Sequence, residues 1–302
     1  MTLRHLFAPL LALLLAPFFV GVINRTKAFV AGRRGPPLAQ PYRDVWKLLQ
    51  RGAVYGAVTT TLVRLGPVLN LATLLAALLI VPFPGIGAAT SFTGDLIVLV
   101  GLFALGRFAT VLAALDTGSA FEGMGASREV HFAALAEPAL LIALATLARI
   151  TGTTDLGSMY GAIIAASWAH DAAALALVGV SFLVLELVEN SRIPVDDPTT
   201  HLELTMIHEV MVLDHSGPDL GFIQYGVALK LWIIGALLVG IAPLHGVSAW
   251  LALGAALLGM AGLAVAIGMI ESAMARYRLA TVPQFIVGAA TLSAVAFMVL
   301  LV

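Results

Sequence analysis

The sequence contains no cysteine and few charged residues. Lysine, arginine, aspartate and glutamate make up 11% of its 302 residues, whereas a typical soluble domain has about 25%. Without cysteine, the chain can form no disulfide and can offer no thiolate to zinc or to an iron–sulfur cluster. The formal net charge of -1 provides no basic excess to meet phosphates, so nucleic acid is excluded as a partner.

Apolar residues are abundant instead. They make up 60% of the sequence, and the mean hydropathy is +1.01. A helix needs about 20 apolar residues to cross a bilayer. Eight runs approach this length, at approximately 6–23, 63–82, 96–115, 132–149, 168–188, 222–243, 249–270 and 283–301. The sequence therefore predicts an all-α, polytopic membrane protein with about eight transmembrane helices, folded as a single integral membrane domain over residues 1–302.

Positive charge alternates between the loops. Loop 24–62 carries seven lysines and arginines, whereas loops 83–95, 150–167 and 244–248 carry none. Because cytoplasmic loops are enriched in lysine and arginine, the pattern predicts that the long loops face the cytoplasm. Both termini are then expected on the outer, periplasmic side of the cytoplasmic (inner) membrane.

Two cytoplasmic loops have helical patterns of their own. Residues Pro41–Arg51 place their apolar side chains largely on one side, which is typical of a helix lying in the membrane interface. Farther along, Thr200 followed by Glu203 is a helix-start pattern. We expect that helix to end at Gly217 and Pro218.

Several charged residues lie at membrane depth, where charge is costly and indicates function by default. Arg107 is in the middle of the third span, Glu137 is inside the fourth, and Glu186 and Glu189 share a helix face near the inner end of the fifth. Two carboxylates this close raise each other's pKa, which suits a proton carrier. The alternative is structural pairing, which we favour for three other charged residues: Asp171, Lys230 and Glu271.

The densest polar stretch is 189–219, which suits proton handling or the docking of another subunit. A solvated acidic face is the simpler alternative. A metal site is not expected, because His201 and His208 are seven residues apart, whereas a zinc-binding helix places histidines four apart. No motif for nucleophilic catalysis occurs either.

Four stretches together resemble the complex I subunit 1 family: Glu189–Leu204, Gly32–Leu49, Leu115–Glu129 with Glu137-Pro138, and Glu271–Leu279. Within that family, the chain is most similar to the membrane subunits of formate hydrogenlyase and hydrogenase-4 complexes. Quinone-reducing members usually have glutamates where this chain has Thr199 and His201.

The resemblance implies a membrane anchor and coupling subunit, not a catalyst. Its expected partners are the large and small (iron–sulfur) subunits of a [NiFe] hydrogenase, antiporter-like membrane subunits and the lipid bilayer. The iron–sulfur clusters and the [NiFe] centre are expected in those partners, with no cofactor or metal in this chain. The alternatives are a quinone-reducing complex I subunit, an independent secondary ion transporter and a purely structural anchor.

The resemblance also implies site residues. It marks Glu137, Glu189, Asp196 and Glu203 as carboxylates that couple redox chemistry to ion movement. By position we add Glu186 and Glu209 as further carboxylates, with Arg107 and Arg192 holding the charge of these acids. The residues expected to dock partner subunits are Arg33, Arg34, Arg128, Asp197, His201, His208 and Asp214.

Overall fold

The structure, a computed structural model, describes residues 6–196, 206–244 and 247–301. Within these ranges the chain is helical and contains no β-strand. Its α-helices are α1 (Phe7–Val30), α2 (Gln40–Leu49), α3 (Thr61–Ile80), α4 (Asp95–Asp116), α5 (Ala120–Thr151), α6 (Leu156–Ala162), α7 (Ala165–Glu189), α8 (Gly217–Gly240), α9 (Ala249–Ala273) and α10 (Val282–Val299). Short 3₁₀ helices occupy Glu209–Val212 and Leu279–Thr281.

Eight of these helices are long and apolar enough to cross a membrane, which confirms the predicted fold class. The placement of both termini on one side of the membrane, and the assignment of that side to the periplasm, stay predictions. The amphipathic helix predicted after the first span is confirmed as α2, none of whose residues is buried in the protein.

Two spans are longer than their hydropathy indicates. Helix α1 continues to Val30, and α5 begins at Ala120 although the fourth apolar run begins at about 132. The early part of α5 contains Glu122, which is buried against neighbouring elements. Tertiary contacts therefore hold polar residues in a helix that apolar runs alone do not reveal.

Helix α8 is the centre of the bundle. In its most apolar stretch 61% of the residues are buried, compared with 28% in α9 and α10, and it contacts α1, α2, α3, α7 and α9. Small residues allow the surrounding helices to approach closely. A Cβ atom added to Gly66 would lie 3.0 Å from the Ala109 carbonyl oxygen, and one added to Gly268 would lie 3.0 Å from the Ile23 carbonyl oxygen.

Of the two predictions for residues 200–218, one is wrong and the other cannot be compared with the described residues. Gly217 and Pro218 do not end a helix but begin α8, so this prediction was wrong; proline fits the first turn because the N–H that it lacks would have no helical partner there. The start of the helix predicted at Thr200 and Glu203 lies outside the described residues.

Helix α6 was not predicted. Asp155 caps it by accepting a hydrogen bond from the Ser158 N–H at 2.7 Å.

Candidate functional site: two buried ion clusters

Arg107 binds three carboxylates from two neighbouring helices. Its Nε donates to Glu129 of α5 at 3.1 Å, its Nη1 donates to Glu137 of the same helix, and its Nη2 lies 2.6 Å from Glu189 at the end of α7. Glu129 and Glu137 are eight residues apart, so both project from one face of α5. The planar guanidinium can serve several carboxylates at once because it has five donors.

Lys230 of α8 completes this group, which we name the Arg107 cluster: Arg107, Lys230, Glu129, Glu137 and Glu189. The Lys230 ammonium lies 2.6 Å from Oε2 of Glu189. Glu189 is therefore held by two cations, and its side chain is only 4% exposed. Three carboxylates against two cations leave the cluster with a formal charge of 2 − 3 = −1.

Glu186 lies one helical turn before Glu189 and has different surroundings. It is fully buried, and neither of its carboxylate oxygens has a hydrogen-bond partner among the described residues. Arg192 and Lys230 are the nearby positive charges that act on it. The two glutamates predicted as a pair are thus distinct. Glu189 contacts two cations directly, whereas Glu186 contacts none and interacts with Arg192 and Lys230 only at longer range.

A second group, the Glu271 cluster, consists of Glu271, Lys27 and Arg192. Oε2 of Glu271 lies 2.7 Å from the Lys27 ammonium, and Oε1 lies 3.3 Å from Nη1 of Arg192. These contacts join α1, α9 and the segment that follows α7. Two cations against one carboxylate give this cluster a formal charge of 2 − 1 = +1.

Asp196 fixes the segment after α7 in place. Its carboxylate lies 2.6 Å from Nη2 of Arg276 and accepts backbone N–H bonds from Ile207 at 3.0 Å and from His208 at 3.2 Å. Arg128 adds a hydrogen bond to the Met206 carbonyl at 2.7 Å. These bonds tie the two described ends of the polar stretch to α5 and to the chain after α9.

Two cavities meet at this segment. The first, of about 40 Å³, lies among Arg107, Glu129, Glu189, His208 and Lys230. It has room for at least one water molecule, which needs about 10–15 Å³ of such space. The second, of about 330 Å³, lies between α1, α2 and α8. Residues on the boundary of both cavities are Asn190, Ser191, His208 and Val227.

His208 lies between the two cavities, where burial favours its neutral form. Burial lowers the pKa of its imidazole below the usual 6.5; the Glu129 and Asp196 carboxylates oppose this change, and Lys230 and Arg107 reinforce it. Its Nε2 atom is buried without a hydrogen-bond partner among the described residues.

The structure brings most of the predicted coupling residues together. Arg107, Glu137 and Glu189 share one cluster, with Glu186 and Arg192 beside it. Asp196 and Glu209 line the larger cavity. Glu203 lies outside the described residues, so its role stays a prediction.

The predicted docking residues are dispersed. Arg128 and His208 contact the chain itself, Asp214 is exposed, and Arg33 and Arg34 lie after the end of α1 and line neither of the two cavities. Asp197 and His201 lie outside the described residues. Among the residues that are described, no group of three or more histidines or acids could hold a metal ion.

Sequence reasoning missed two members of the Arg107 cluster. Glu129 belongs to one of the stretches that carry the family resemblance but was not selected, because it lies outside the apolar run. Lys230 was expected to be only a structural contact near a span end. The useful signal for Lys230 was its position inside an apolar span, since a buried cation needs a nearby carboxylate.

Known proteins match this chain over most of its length. The family model described as NADH dehydrogenase matches residues 4–302. The chain is 30% identical to formate hydrogenlyase subunit 4 of Escherichia coli (strain K12) over 293 residues, covering 93% of each chain. It is 34% identical to hydrogenase-4 component C of the same organism over 230 residues, covering 76% of this chain and 71% of the relative.

A solved structure has the same fold. A chain in the structure of the membrane-bound sulfane sulfur reductase, an archaeal respiratory membrane complex, matches with a TM-score of 0.83 and 20% sequence identity, covering 99% of this chain and 98% of that one. The predicted resemblance, including the similarity to formate hydrogenlyase and hydrogenase-4 subunits, is confirmed. The chain belongs to the NADH dehydrogenase family, whose members resemble complex I subunit 1.

Proposed function

We propose that this chain is the membrane anchor and coupling subunit of a multisubunit, membrane-bound [NiFe] hydrogenase complex of the formate hydrogenlyase type. Similarity to formate hydrogenlyase subunit 4 over 93% of both chains supports this proposal. The chain has no cysteine. Iron–sulfur clusters and the [NiFe] centre, which would carry out the electron transfer and the hydrogen chemistry, therefore belong to partner subunits.

The observation that carries the proposal is the formal charge of −1 on the Arg107 cluster at membrane depth. An uncompensated charge in a low-dielectric interior acts strongly on neighbouring ionisable groups. Glu186, without a hydrogen bond of its own, is the adjacent carboxyl group whose charge can change without breaking an ion pair. A proton gained or lost here alters the field felt by neighbouring helices.

The two cavities give this cluster a connection to the loops. Water in the smaller cavity would link His208 and Ser191 to Glu189, and the larger cavity continues to Asp196 and Glu209. Redox events in a partner docked on these loops would change the charge beside Asp196 and Arg192. We infer that proton occupancy of Glu186, Glu189 and Glu137 then follows, and that Glu203 and Glu209 extend the path at its loop end.

The same proposal covers partners and location. Hydrogenase large and small subunits would dock on the basic side, at Asp197, His201, Asp214 and the elements positioned by Arg128 and His208. Antiporter-like subunits would pack against the exposed sides of the spans and receive the coupled charge movement. The protein would reside in the cytoplasmic membrane with both termini outside.

Glu186→Gln tests this function in the assembled complex. Because Glu186 makes no ion pair or hydrogen bond through its carboxylate in the described structure, the variant should assemble normally. We expect it to lose most ion translocation, measured in membrane vesicles, while hydrogen evolution from an artificial electron donor continues. Asp171→Asn is the matched control, since it alters a carboxylate on the same helix near the other membrane face. Wild-type translocation by Glu186→Gln would refute the proposal and favour a purely structural anchor.

A quinone-reducing complex I subunit is the second candidate, because the family description is NADH dehydrogenase and the cavity of about 330 Å³ could admit a ring-sized ligand. Mass spectrometry of the proteins that co-purify with the chain separates the two: hydrogenase subunits support the first candidate and NADH-oxidising subunits the second. Ion transport by the purified chain alone in liposomes would instead indicate an independent transporter.

A further inference from the structure

A basic cleft lies at the end of α1, on the side of this helix that faces α9. It has a volume of about 990 Å³, and its lining includes Arg25, Arg33 and Arg34 together with Phe29 of α1 and Val265 of α9. It shares no lining residue with the cavities at the Arg107 cluster. The proposed coupling path does not use it.

The cleft has positive charge without a counterion from the part of the chain that the structure describes. Arg25, Arg33 and Arg34 are exposed, and none of them forms an ion pair with the described residues. No aspartate or glutamate lines the cleft. Lys27 of the same helix differs, because Glu271 neutralises it. The three guanidinium groups of the cleft therefore have no anion among the described residues, and guanidinium groups match phosphate geometry well.

The turn that carries two of these arginines is rigid. The Arg33 N–H donates to the Ala28 carbonyl at 2.7 Å, which closes the end of α1. Gly35 has a φ of +64° and packs so closely on Ala28 that an added Cβ would lie 2.5 Å from the Cβ of that residue. Pro36 and Pro37 follow. The backbone at Arg33 and Arg34 is thus held in place before any ligand binds, which lowers part of the entropic cost of binding.

The apolar part of the cleft indicates what kind of anion fits. Phe29 is 81% exposed and Val265 is 37% exposed, and both belong to membrane-spanning helices. Helix α1 has 24 residues, so at about 1.5 Å per residue it is longer than the hydrocarbon core of about 30 Å. Its basic end therefore reaches the headgroup layer, with Phe29 near the boundary.

We propose that this cleft binds an anionic phospholipid, with the headgroup phosphate on Arg25, Arg33 and Arg34 and an acyl chain against Phe29 and Val265. Basic pockets between helices at this membrane level suit such headgroups. An acidic protein surface would match the charges but would leave Phe29 and Val265 unexplained. The proposal gives Arg33 and Arg34 a lipid ligand in place of a docking partner, and it does not depend on the coupling function.

Native mass spectrometry of the full chain in detergent tests the site. The chain is titrated with phosphatidylglycerol or phosphatidylcholine, and the retained lipid is counted. Wild type should prefer phosphatidylglycerol. A triple variant carries Arg25→Gln, Arg33→Gln and Arg34→Gln, and its affinity for phosphatidylglycerol should fall by about fivefold for each arginine removed. The matched control, with Arg43→Gln, Lys47→Gln and Arg51→Gln, removes three exposed cations from the same side of the membrane and should bind as wild type does.

Further arms identify the source of the anion. Phe29→Ser should weaken lipid binding although all three arginines remain, and millimolar inorganic phosphate should not displace the lipid. Equal retention of the two lipids, or equal binding by the triple variant and its control, would overturn the proposal. So would displacement of the lipid by inorganic phosphate, which indicates a site for the free ion. Unchanged lipid binding with loss of a partner subunit from the triple variant would assign the cleft to a protein.

Discussion

The two buried ion clusters differ in the sign of their excess charge. The Arg107 cluster has one carboxylate too many, whereas the Glu271 cluster has one cation too many. Each cluster has one partly exposed member: Glu137 is 31% exposed in the Arg107 cluster, and Lys27 is 24% exposed in the Glu271 cluster. An excess negative charge can be relieved by a proton, but an excess positive charge on arginine or lysine is relieved by solvent or by a nearby acid.

Glu186 lies where these two charge patterns meet. Arg192 of the Glu271 cluster and Lys230 of the Arg107 cluster both act on it. We therefore propose different roles for the two clusters. The Glu271 cluster fastens α1, α9 and the segment after α7 together, whereas the Arg107 cluster with Glu186 would hold the charge that changes in coupling.

Removing the central cation should have the largest effect on the folded state. Arg107→Gln would leave Glu129, Glu137 and Glu189 facing one another with Lys230 as the remaining cation of the cluster. We expect a loss of about 3–5 kcal/mol in the free energy of unfolding, typical of breaking a buried ion pair from one side. Thermal unfolding of the purified chain in detergent measures it. The control is Arg64→Gln, at an exposed arginine stacked over Tyr55; equal stability of both variants would contradict a special role for Arg107.

Removing the acid of the other cluster should cost less. Glu271→Gln leaves Lys27 and Arg192 without their carboxylate, but Lys27 can turn toward water. We expect a loss of about 2 kcal/mol in the same measurement.

A double-mutant cycle sharpens this prediction. If the contact between Lys27 and Glu271 matters, Lys27→Met combined with Glu271→Gln should destabilise the protein by less than the sum of the single changes. Strict additivity would show that the two residues are not coupled, and the Glu271 cluster would then not be a fastening point.

The smallest effect is expected from His208, which lies beside the Arg107 cluster. Because burial lowers its pKa in the folded protein, the unfolded chain binds more protons near pH 6.5, and stability rises with pH there. Stability should fall as the pH drops from 7.5 through 6.5 toward the lower folded value. We expect His208→Gln to reduce this pH dependence of the melting temperature, whereas His170→Gln, at an exposed position, should not. Identical slopes in wild type and His208→Gln would contradict the prediction.

The sequence indicated the spans and the unusual depth of Arg107, because both follow from local hydropathy. It did not indicate the partners of Arg107, which lie 22, 30 and 82 residues away along the chain. Glu129 escaped selection because the polar start of α5 has no apolar run to mark it. Gly217 and Pro218 were misjudged because the same pair can follow one helix or begin another, and the neighbouring residues decide which.

By itself, the sequence determined a helical membrane protein with eight spans, a basic side and a few charges at depth, since bilayer thickness and the cost of buried charge act on each segment separately. Only the tertiary structure decided which acid meets which base. Glu186 and Glu189 are one turn apart on the same helix, but of the two only Glu189 contacts Arg107 of α4 and Lys230 of α8. Glu186 keeps its buried carboxyl group without a hydrogen bond because side chains from other helices do not reach it in the described structure.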